Sequence, residues 1–67
     1  PNPANAYLNV FMNAYEQEDM INIYDVNGKL LITTSVGGAM TNVPVESLST
    51  GMYIVRVGER IGKFFKE

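Results

Sequence analysis

Apolar side chains in this chain recur at every second position in short runs, and each run is cut by Gly, Pro, Asn or Asp within about eight residues. No stretch holds the i, i+3, i+4, i+7 apolar stripe of an amphipathic helix for long enough to build one. Strand side chains point alternately to opposite faces, so a two-residue period can bury one face of a sheet and little else. The pattern therefore predicts an all-β fold.

The runs can be placed individually. In Tyr7 to Met12, Leu8, Val10 and Met12 share one face and Tyr7, Asn9 and Phe11 the other, and either face could be buried. A polar stretch, residues 13–19, leads to Met20 to Asp25, where Ile21 and Ile23 point inward. Asn27-Gly28, flanked by alternation on both sides, predicts a type I′ turn that pairs this strand with the run Lys29 to Val36. Gly37-Gly38 closes that run. A fourth, Met40 to Val45, contains Pro44, which has no N–H to donate and so belongs at an edge or a strand end; Val43, Val45 and Leu48 mark its buried side. After a turn over residues 47–51, Met52 to Val57 is the most β-rich segment and is expected to be central. Its Tyr53, Val55 and Val57 face one way, while Met52, Ile54 and Arg56 face the other, toward solvent at one end at least. Gly58 to Arg60 turns the chain into the last strand, Ile61 to Lys66, expected at an edge. Six such runs predict a small antiparallel immunoglobulin-like (Greek-key) β-sandwich of about six to seven short strands.

Size limits what can support such a fold. At 67 residues the chain is one domain, 1–67, and a domain of this size buries only ~60% of the surface its unfolded form exposes. It has no cysteine and no histidine, which excludes disulfides, thiolate nucleophiles, imidazole bases and nearly every structural zinc site. Packing or a partner must supply the stability. No apolar run approaches the ~20 residues of a membrane-spanning helix, and the opening Pro1-Asn2-Pro3 without an initiator Met is read as the start of a fragment of a larger protein.

The net charge of −2 argues against a nucleic-acid partner, which would call for an excess of Lys and Arg. The charge is unevenly spread: residues 1–50 carry five carboxylates against Lys29 and total −4, whereas residues 51–67 carry Arg56, Arg60, Lys63 and Lys66 against Glu59 and Glu67 and total +2. The basic quarter suits either an acidic partner or charge that keeps a hydrophobic edge soluble, and chemistry alone leaves the two even.

No carboxylate, lysine or tyrosine falls into a catalytic motif, so no catalytic residue, metal, cofactor or small-molecule substrate is expected. Glu16, Glu18 and Asp19 could hold a hard cation, but the Gly and alternating Asp/Asn of a calcium loop are missing, which favours a solvated acidic turn. Tyr7, Tyr15, Tyr24 and Tyr53 could form a stacking platform for sugar; half-buried strand tyrosines with a wet hydroxyl are the favoured reading.

Taken in order, Pro1-Asn2-Pro3-Ala4-Asn5, Ile21 to Asp25 with Asn27-Gly28-Lys29, Leu48 to Val57, and Lys63-Phe64-Phe65-Lys66 resemble the C-terminal sorting domain of the type IX (Por) secretion system. Each block alone is weak; their order and spacing across the whole chain carry the resemblance. The resemblance implies a targeting tag and no enzyme: a domain at the end of a cargo protein, recognised in the periplasm, handed by shuttle proteins to the outer-membrane translocon, and removed by a surface sortase that attaches the cargo to the cell surface. It places translocon recognition at Gly51, Tyr53, Val55, Arg56, Lys63, Phe64, Phe65 and Lys66. Further motif blocks fall at Pro1, Asn2, Pro3, Gly28, Lys29 and Leu48. The competing readings are an adhesin-like or carbohydrate-binding sandwich and an assembly module forming a homodimer through edge strands.

Overall fold

The computed structural model describes residues 6–11 and 20–67, which form six strands and no helix. These are β1 (Tyr7–Phe11), β2 (Met20–Tyr24), β3 (Leu30–Ser35), β4 (Met40–Pro44), β5 (Gly51–Val57) and β6 (Arg60–Lys66). They make two antiparallel sheets, a two-stranded one of β1 and β4 and a four-stranded one in the order β3-β2-β5-β6. The result is the expected small β-sandwich, with fewer strands among the described residues than the seven of an immunoglobulin constant domain.

The alternation expected from the sequence decides which residues meet between the sheets. Leu8 from β1 and Val43 and Val45 at the end of β4 pack against Ile21 and Ile23 of β2, Tyr53 and Val57 of β5 and Phe64 of β6. Val36, just past β3, completes the buried cluster, and Val10, Ile32, Leu48 and Val55 pack half-buried around it. Of the two faces left open for β1, the Leu8 and Val10 face is the inner one; Met12 lies outside the described residues. Fully burying one such aliphatic or aromatic side chain contributes about 1.5–3 kcal/mol, and Phe64, Ile21, Ile23, Val43 and Val45 are the largest ones completely enclosed.

β5 is interior, paired with β2 on one side and β6 on the other, and β6 is an edge, both as expected. Pro44 is the last residue of β4 and stands opposite Tyr7. The next residue, Val45, donates its N–H to the Ala6 carbonyl at 2.9 Å, which puts the Tyr7–Pro44 pair in the non-hydrogen-bonded phase of the ladder, where a missing N–H costs nothing.

The β2–β3 hairpin forms as predicted, but its turn is not type I′. Only Gly28 has a positive φ, +87°, and Asn27 does not. The Gly28 N–H donates to the Asp25 carbonyl at 3.0 Å and the Asp25 N–H to the Lys29 carbonyl at 3.0 Å, giving a three-residue loop with Gly28 in the left-handed bulge position. Asp25 decides the outcome. Its Oδ1 accepts from the N–H groups of both Asn27 and Lys29 at 2.9 Å, an Asx turn that holds the first half of the loop right-handed. The bulge shifts the register so that Tyr24 stands opposite Leu30, while Ile23 stands opposite Ile32.

Candidate recognition surface

The residues singled out near the C-terminus come together on one hairpin, β5–β6, which registers residue for residue from Gly51 opposite Lys66 to Val57 opposite Arg60. The strand period then divides them. Tyr53, Val55, Phe64 and Lys66 face inward, and Arg56, Lys63 and Phe65 face outward. The inward members serve the core. Tyr53 and Phe64 are direct cross-strand partners, stacked with ring centroids 5.7 Å apart and planes 28° apart. The Tyr53 hydroxyl donates to the Ser49 carbonyl at 2.6 Å, so the ring is buried while its polar tip anchors the β4–β5 turn.

Lys66 is the one charged residue buried among those described, at 7% exposure. No buried side-chain nitrogen or oxygen among the described residues lacks a partner, so its ammonium reaches the surface and its stem packs inside. Beside it, the Thr50 hydroxyl donates to the Glu67 carbonyl at 3.0 Å and ties the last residue to the β4–β5 turn.

The outward face is a different surface. Arg56 and Lys63 are exposed, with Met52 and Phe65 partly exposed beside them at 42% and 39%. Arg56 Nε donates to the Gly58 carbonyl at 2.8 Å, holding the guanidinium over the β5–β6 turn. Asn22, opposite Arg56 on β2, accepts from the Thr33 hydroxyl at 2.6 Å, which extends the polar part of this face toward β3.

The remaining motif blocks scatter. Gly28 and Lys29 are exposed in the β2–β3 turn, at the end of the sheet where β5 begins and β6 ends. Leu48 is half-buried against the core, and Pro1, Asn2 and Pro3 lie outside the described residues. The described tyrosines share no face: Tyr7 lies on the outer face of the two-stranded sheet, Tyr24 on the outer face of the four-stranded sheet and Tyr53 between them, with Tyr15 outside the described residues. Glu16, Glu18 and Asp19 also lie outside them. No acidic cluster able to hold a metal occurs among the described residues.

One feature escaped the sequence reading. Among the described strands β1 pairs only with β4, and its other edge borders a groove of about 380 Å³ against the inward side of β6. Gly62, an isolated glycine inside a strand run, is the signal that could have shown it, because such a glycine often marks a close approach of another backbone.

Comparison with curated proteins finds no match, and neither does comparison with solved structures. A family model, that of the secretion system C-terminal sorting domain, does match, over residues 1–67, a span that contains the hairpin just described. The chain thus belongs to the secretion system C-terminal sorting domain family, the type IX sorting signal that directs a cargo protein to export.

Proposed function

We propose that residues 1–67 act as a single sorting-signal domain at the end of a cargo protein, read in folded form through the outward face of β5–β6 and the outer edge of β6. Four of the chain's five cations stand on this one hairpin, whose last strand pairs, among the described strands, with β5 alone; that observation carries the reading. An edge strand offers main-chain hydrogen bonds to an incoming strand, and Arg56 and Lys63 supply charge, the two elements of recognition by strand addition. The partners in this reading are the translocon and its shuttle proteins, met in periplasmic transit. A surface sortase then removes the domain and attaches the cargo to the outer membrane surface.

The test is a secreted reporter carrying residues 1–67 at its C-terminus in a host with this secretion system. Arg56→Glu combined with Lys63→Glu should strand the reporter in the periplasm. Both residues are exposed, so stability should stay within about 0.5 kcal/mol. Unchanged surface export, with the cleaved product still formed, would remove the hairpin face from the reading. A second reading rests on the same edge strand: a homodimer joined along β6, which sedimentation would reveal as a concentration-dependent increase in mass.

A further inference from the structure

Among the described residues, the two-stranded sheet is too narrow to cover the four-stranded one, and the strip it leaves lies beside β1. Val55 shows the consequence: it sits on the inward face of an interior strand yet is only half-buried. Above it, between β1 and β6, runs the open groove lined by Leu8, Val10 and Phe11 on one side and Gly62 and Phe64 on the other, with Val55 as its floor.

Three observations say what would fill it. The first is hydrogen bonding. The Val45 N–H to Ala6 carbonyl bond and the one-to-one register fix the ladder phase, so Leu8 and Val10 spend their main-chain groups on β4. Those of Tyr7, Asn9 and Phe11 point to the groove side, where no described strand pairs with them. The second is shape. Inward positions of β6 read Arg60, Gly62, Phe64 and Lys66, and the missing side chain at Gly62 leaves the floor open; a Cβ there would meet only Val55 Cγ1, at 3.7 Å. Gly62 has no left-handed φ to explain it. The third is charge: Arg60, on the inward side of β6, borders the groove, no carboxylate among the described residues lines it, and Arg60 has no ion pair with a described residue.

We propose that this groove is a binding site for an extended segment of another polypeptide, which adds as a strand along the edge of β1 away from β4, sets apolar side chains at alternate positions over Val55 and Gly62, and presents a carboxylate to Arg60. The site goes beyond the export reading and does not depend on it, since that reading uses the outward face and the opposite edge of β6.

The test is an amide NMR titration of the full 67-residue chain with a capped synthetic peptide of about nine residues, long enough at ~3.4 Å per residue to run past β1. It carries Val at alternate positions, Thr between them and one Asp near an end. Saturable shifts with slowed exchange at the Tyr7, Asn9 and Phe11 amides are expected. Gly62→Val fills the groove and should weaken binding about tenfold or more, because the obstruction is steric, with an unchanged or higher melting temperature. Arg60→Glu should weaken binding of the Asp peptide severalfold and restore it for the same peptide with Lys in place of Asp, a reversal that misfolding could not produce. The absence of saturable shifts, or shifts confined to the outer edge of β6 or to β3, would overturn the proposal. So would protection of Tyr7, Asn9 and Phe11 that grows with protein concentration alone, which would make the occupant a second copy of this chain.

Discussion

β3 and β6 form the two edges of one sheet, yet β3 encloses none of its residues and presents Thr33, Thr34 and Ser35, while β6 sends Phe64 and the stem of Lys66 into the interior. The β3 edge runs from exposed Leu30 and Leu31 to short polar side chains, Thr33 among them bonded to Asn22, and no residue of it is fully enclosed to anchor the strand. The β6 edge is anchored from inside and presents Ile61, Lys63 and Phe65 outside. An edge strand can therefore carry recognition only if its inward residues first secure it to the core, and at β6 the two duties alternate along the strand. Removing the whole tail would abolish both at once, so point substitutions are needed to separate them.

The largest effect should come from the anchor. Phe64→Ala removes a ring that is fully enclosed and stacked on Tyr53, at a cost of about 3–5 kcal/mol. Domains as a class hold only about 5–15 kcal/mol in all, so urea denaturation should find this variant largely unfolded. On the other edge, Ile32→Ala trims a residue that is only half-buried and should cost ~1–2 kcal/mol in the same experiment. Equal losses at the two positions would break the contrast between the edges.

Smaller effects test the turns that aim the strands. Tyr53→Phe keeps the stacked ring and deletes the hydrogen bond to the Ser49 carbonyl, for a loss of about 1 kcal/mol. Asp25→Ala removes the side-chain acceptor for Asn27 and Lys29 and should cost a similar ~1 kcal/mol. Amide exchange should then quicken locally in the β2–β3 turn, with β5–β6 unaffected.

Much of the fold was legible in the sequence because burial enforces the two-residue period: Ile21 and Ile23, Val43 and Val45, and Tyr53 and Val57 all face inward as their spacing requires. The turn type was not legible, since Asn-Gly satisfies type I′ locally and only the Asp25 carboxylate, acting two and four residues on, selects the bulged loop. The candidate surface was legible as a segment and not as a face. Phe64 and Phe65 are indistinguishable in the sequence until the register with Tyr53 and Met52 assigns one inward and one outward. The groove was beyond reach for a related reason: it depends on β1 pairing with β4 alone, a long-range choice that no local pattern encodes.

Lys66 allows the finest division between anchoring and recognition, because a single side chain contains both parts. Its stem lies on the inward face beyond Phe64, while its ammonium reaches the surface at the end of the sheet that also carries the Lys29 turn. Lys66→Met keeps an unbranched chain of similar length and removes only the charge, so stability should change by no more than about 0.5 kcal/mol, and could rise because no ion pair with a described residue is lost. Lys66→Ala removes the stem as well and should destabilise by ~1 kcal/mol or more through lost packing. If the reporter fused to the Met variant is exported as well as the parent while the Ala variant fails, Lys66 is an anchor of the edge strand and nothing else. Export lost with Lys66→Met at unchanged stability would make the ammonium part of what the secretion machinery reads, and would extend the recognition surface from the outward face around the end of β6.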